Sequence, residues 1–93
     1  MPGTAQEATE QREGVVNQRQ ENQEKRIEEG VKSGALTEKE AKRMEKREQH
    51  IQKMENKAMA DGKMTGKEFR KIERAQNRTS KAIYRSKHNG RRQ

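Results

Sequence analysis

A chain of 93 residues fits one domain, yet 25% hydrophobic against 41% charged residues and a net charge of +8 leave little to build a core from. Leu, Ile, Val and Phe together number only nine, a balance that otherwise marks disorder and allows at most a thin core of modest stability. There is no cysteine, so disulfides and thiolate metal sites are excluded, and no apolar run approaches the roughly 18 residues of a spanning helix.

In chain order, residues 1–14 open with "MPGTAQEATEQ", small and polar, and are expected to be a disordered N-terminal segment. A first helix is predicted over about 15–33, where Val16, Ile27 and Val31 stand among glutamines, so its start is expected to fray. A second is predicted over about 38–60, with Ala41, Met44, Ile51, Met54 and Ala58 on one face. A third is predicted over about 66–87, with Phe69, Ile72, Gln76, Thr79 and Ile83 along one stripe. Residues 89–93 read as a flexible basic tail. The fold class is all-α: a small three-helix bundle, or an open set of helical hairpins, forming a single domain over 15–88.

The two connections repeat each other. "SGALTEKEAKRMEK" at 33–46 is echoed by "DGKMTGKEFRKIER" at 61–74. Gly34 and Gly62 suit the left-handed conformation that ends a helix. Thr37 and Thr65 are N-cap residues, and Glu40 and Glu68, three residues on, complete capping boxes worth on the order of 1 kcal/mol each. Leu36 and Met64 precede the caps as hydrophobic staples onto Ala41 and Phe69. Each unit stops one helix and starts the next.

The second unit also fits the back half of an EF-hand loop. With Gly62 at the loop's sixth position, Asp61, Thr65 and Glu68 fall where calcium ligands stand. Lys57 and Met59 then occupy the first and third ligand positions, where an ammonium repels the ion and a thioether is too soft for it. The favoured reading is a pair of capped helix turns without a metal, with Asp61, Thr65 and Glu68 the weak candidates and no cofactor expected.

Charge is distributed unevenly. Residues 1–33 carry five basic and seven acidic side chains, 34–60 seven and five, and 61–93 eleven and three. On the third predicted helix Lys67, Lys71, Arg74, Arg78, Lys81 and Arg85 recur three or four apart, roughly opposite Phe69, Ile72 and Ile83. Three readings are open: a solvated face, a surface for an acidic protein or envelope polyanion, or a non-specific nucleic-acid site. Two aromatics in the chain supply no stacking platform, and the apolar face lacks the Trp of a membrane-inserting helix. His50 and His88 stand alone, no phosphate-binding Gly-rich loop occurs, and the Asn77-Arg78-Thr79 sequon falls within a predicted helix. Nothing here points to an enzyme.

The stretches "NQRQENQEKRIEEGVKSGALTEKEAKRMEK" and "AQNRTSKAIYRSKHNGR", with both Gly-x-Leu/Met-Thr turns, resemble a family of small exported proteobacterial helical proteins, distantly EF-hand-like. The resemblance covers about residues 17–91. It implies a helical fold and a periplasmic or secreted location, and it brings no catalytic residues. The family's leader peptide is not among these residues, so export is expected from the likeness alone. The expectation is a monomer or weak dimer that acts by binding acidic partners or cell-envelope polyanions through its basic C-terminal helix; the alternative is intracellular, sequence-indifferent nucleic-acid binding by the same helix.

Overall fold

Three Thr-x-x-Glu segments organise the chain in the computed structural model, which describes residues 4–88. They open α1 (Ala5–Ser33), α2 (Glu38–Ala58) and α3 (Gly66–His88). The hydroxyls of Thr4, Thr37 and Thr65 accept from the amides of Glu7, Glu40 and Glu68 at 3.0, 3.1 and 3.1 Å. Each glutamate in turn accepts from its threonine's amide, at 3.1, 3.0 and 2.9 Å. Gly34 and Gly62 take φ values of 81° and 83°, as the two turn units require.

α1 therefore begins at Ala5, whereas the apolar pattern places its start at 15 and disorder before it. Two features order this segment: the Thr4–Glu7 capping box, and a docking of the first turns onto Met64. Thr9, 4% exposed, accepts from the Met64 amide at 3.1 Å, and Arg12 donates to the Met64 carbonyl at 2.9 Å. The expectations for residues 1–3 and for the tail 89–93 fall outside the described residues.

Each helix packs against both others, so the three close into an elongated bundle of 53 × 23 × 18 Å. Its apolar core is split in two. Val16, Ile51, Ala58, Met64, Ile72 and Ala75 fill the end near the α2–α3 turn, with Met54, Met59 and Phe69 packed at its margin. Ile27, Leu36, Met44 and Ile83 fill the other end, with Ala41 and Ala82 beside them. Both staple residues, Leu36 and Met64, are buried. Val31, expected on the core stripe of α1, is 43% exposed. The buried line runs through Val16, Gln23, Ile27 and Gly30, and position 31 lies a further ~100° round the helix.

Between the two apolar ends lies a polar layer. Gln23 donates to the Gln76 carbonyl at 2.9 Å, and Gln76 donates to the Val16 carbonyl and to Gln20 Oε1, each at 3.1 Å. Gln20 donates in turn to the Glu48 carbonyl at 3.3 Å. These bonds tie all three helices together where apolar residues are missing, at the smaller net gain of hydrogen bonding.

Candidate functional site

The chain's positive charges divide into those engaged inside the fold and those left outside it. Arg12, Arg19 and Arg26, seven residues apart on α1, all reach α3 or the turn before it. Arg12 holds the Met64 carbonyl, Arg19 donates to Glu73 at 2.9 Å and to Asn77 at 2.6 Å, and Arg26 donates to the Ser80 hydroxyl at 2.8 Å. Arg19–Glu73 is a partly buried ion pair, its side chains 30% and 26% exposed. These arginines are structural clamps, which the residue pattern does not single out.

The six cations named on α3 behave differently. Lys67, Lys71, Arg74, Arg78, Lys81 and Arg85 are all exposed, while Ile72, Gln76, Thr79 and Ile83 on the same helix are buried. None of the six side chains makes a hydrogen bond or ion pair to a described residue. Nothing in the described fold neutralises them, and the cations late in α3 are also favourably placed on its dipole.

α2 adds a second row that the linear charge pattern conceals. Near the middle of the bundle Lys46, Arg47 and His50 line one side of a groove whose other side carries Arg78, with Ile51, Ala75 and Thr79 at its base. Toward the α2–α3 turn a second, separate hollow of the same seam lies between Lys57 and Lys71, over Met54, Ala58 and Ile72, with Glu68 at the edge. The signal for this row lies in the same 3–4 spacing along α2, where interleaved glutamates mask it. In the bundle those glutamates part company: Glu48 and Glu55 turn into the core and the cations stay outside.

The candidate calcium ligands are engaged in turn chemistry. Asp61 accepts from the Lys63 amide at 3.0 Å, and Thr65 and Glu68 bond each other in the cap of α3, with the Thr65 hydroxyl a further donor to Glu68 at 3.2 Å. Among the described residues no group of three His, Asp or Glu side chains stands close enough together to hold a metal ion. Gly34 caps α1, and Thr37, Glu40, Thr65 and Glu68 cap the starts of α2 and α3 as the duplicated motif requires. Gly62 takes the left-handed conformation but lies in the turn beyond α2, whose C-cap is Met59 in the right-handed region.

The α1–α2 side is acidic. Glu48 is 3% exposed and neither carboxyl oxygen has a hydrogen-bond partner among the described residues. Burial, and then the charges of Glu24 and Glu45, push its carboxyl up to about 7. Glu24 is raised as well, by burial and by the charge and hydrogen bond of Glu45. Glu55 is raised by burial and by Glu13, partly offset by the amide of Gln52. With its nitrogen turned toward Glu55, the Asn17 amide also donates to that carboxyl at 2.7 Å.

No helix among the described residues is long and apolar enough to cross a membrane. Comparison with protein-family models, with curated proteins and with solved structures finds no significant match, so the arrangement of these side chains is what speaks for the protein's activity.

Proposed function

We propose that the protein is a small non-enzymatic binding protein whose α3 surface takes acidic partners or cell-envelope polyanions. The observation that supports this is the exposed row of Lys67, Lys71, Arg74, Arg78, Lys81 and Arg85. It has no partner among the described residues, on a bundle that engages three arginines of α1 internally. Such a row binds by charge and by counterion release, and needs no pocket. Location in the periplasm or outside the cell is part of the proposal and rests on the family resemblance; fractionating cells that express the full-length gene tests it.

The binding test is a heparin titration across a salt series. Affinity is expected to fall steeply as salt rises, and R74E/R78E/K81E is expected to abolish binding while leaving the helical spectrum intact, since all three side chains are exposed. The rival reading, an intracellular nucleic-acid-binding protein, predicts that DNA or RNA is held at physiological salt well above heparin and acidic protein. A single sequence bound a thousandfold tighter than random nucleic acid would overturn the polyanion reading.

A further inference from the structure

Of the three seams of the bundle, the one between α1 and α3 is bridged by Arg12, Arg19 and Arg26, and the one between α1 and α2 is lined by Gln20, Glu21, Glu24 and Gln52. Among the described residues the α2–α3 seam combines an apolar base with cations on both edges. Lys57 faces Lys71 across it, and Lys46 and Arg47 face Arg78. None of these side chains has a hydrogen-bond or ion-pair partner among the described residues. Apart from the Glu68 carboxylate at one edge, two rows of like charge face each other across the seam, and an anionic occupant between them relieves their repulsion.

We propose that this groove seats an acidic amphipathic helix of a partner protein, which packs as a fourth helix with its apolar stripe on the base and its carboxylates between the two cationic edges. The assignment rests on the polyanion reading above and adds the kind of partner. Three observations favour a helix over a nucleic acid. The base presents the partly buried Met54 over the buried Ala58, Ile72, Ile51 and Ala75, which suits aliphatic side chains, and the hydroxyl of the buried Thr79 is its one side-chain polar group. Neither Phe69 nor Tyr84, the chain's two aromatics, lines the groove, so bases have no platform. A seam between two packed helices also has the shape that accepts a third helix by ridge-into-groove packing. Met54, half-buried at the base, is an unbranched side chain able to adapt to the incoming stripe. Between Lys71 and Arg78, the α3 cations that line the seam, the edge spans about 10 Å, the length of roughly two turns of a partner helix.

The test uses two synthetic peptides of the same composition, about 18 residues of Leu, Glu and Ala. One has leucines at i, i+3, i+4 and i+7 flanked by glutamates; the other has the leucines scattered round the helix. Binding to the whole protein is measured by fluorescence anisotropy at about 0.15 M salt, where exposed charges are screened over roughly 8 Å and only close pairs count. The striped peptide is expected to bind at least tenfold tighter than the scattered one and to shift the amide resonances of Met54, Ala58, Ile72 and Ala75 in the unmodified protein. K46E/R47E on α2 is expected to weaken it at least tenfold, and the resonance map stands as evidence even if that variant fails to fold. Equal binding of the two peptides, with shifts confined to the outer face of α3, overturns the groove and leaves the polyanion reading in place. A single-stranded oligonucleotide that binds tighter than the striped peptide overturns it in favour of nucleic acid. If neither peptide nor heparin binds, both readings fall.

Discussion

Glu48→Gln is expected to stabilise the protein at neutral pH, and the size of the gain can be worked from the site. The carboxyl is buried, unpartnered among the described residues, and raised from the ordinary 4.5 to about 7. Between those two values the folded chain binds more protons than the unfolded one, so stability falls as pH rises across that window. Below about 4.5 both states are protonated and the penalty is absent; above about 7 it is complete. The gap corresponds to about 3 kcal/mol, an upper figure because slight opening of the α1–α2 seam would admit water. Glutamine keeps the shape, removes the charge, and brings a donor toward the acidic Glu24 and Glu45. Thermal unfolding followed by circular dichroism at about pH 4 and about pH 7.5 checks the reasoning. At the higher pH the variant is expected to melt roughly 10 °C above the parent, given about 4–8 °C per kcal/mol for a domain of this size. At the lower pH the two curves are expected to converge. A variant that melts no higher at the higher pH, or a difference that is the same at both, would refute the account of a buried charge.

Four further outcomes follow from local geometry. Thr65→Ala with Glu68→Ala removes both bonds of the α3 cap and is expected to cost about 1–2 kcal/mol, seen as a lower melting midpoint. Gly30→Ala is expected to destabilise by about 1–3 kcal/mol, since the new Cβ would lie 2.6 Å from Cδ1 of the buried Leu36. Gly14→Ala, with nothing within 4 Å, is expected to be neutral or to stabilise by up to about 1 kcal/mol; chemical denaturation compares the two. Millimolar calcium is expected to leave the melting midpoint unchanged, because Thr65 and Glu68 already satisfy each other; a saturable shift of the Asp61, Gly62 and Glu68 amide resonances with calcium but not magnesium would show otherwise.

The turns are the most legible part of this chain, because a cap is a local device: Gly34, Thr37 and Glu40, and Gly62, Thr65 and Glu68, announce themselves within seven residues each. The same Thr-x-x-Glu signal stands at Thr4–Glu7, but no apolar stripe follows it, so hydropathy reads the segment as disorder. The residues that dock this end are Thr9 and Arg12, both polar. Hydropathy likewise hides the middle of the core, where Gln23 and Glu48 are buried as well as Gln76. The outward row of α3 is readable from spacing alone. Its counterpart on α2 is not, since a linear charge count cancels Lys46 and Arg47 against glutamates that the fold takes inside.

The arginine clamps of α1 carry a further consequence for how the bundle avoids misassembly. Sliding α1 along α3 by two turns would bring buried positions onto buried ones, because Thr9, Val16, Gln23 and Gly30 recur at sevens. The three arginines repeat at that same interval, but what they meet does not: a turn carbonyl, then a carboxylate with an amide, then a serine hydroxyl with its backbone oxygen. A slipped arrangement would deprive at least one guanidinium of its acceptor in a partly buried place. The clamps thus act as a key with unequal teeth, adding to the unlike buried side chains of Val16 and Gln23 in making one alignment of the helices distinguishable from its near-copies.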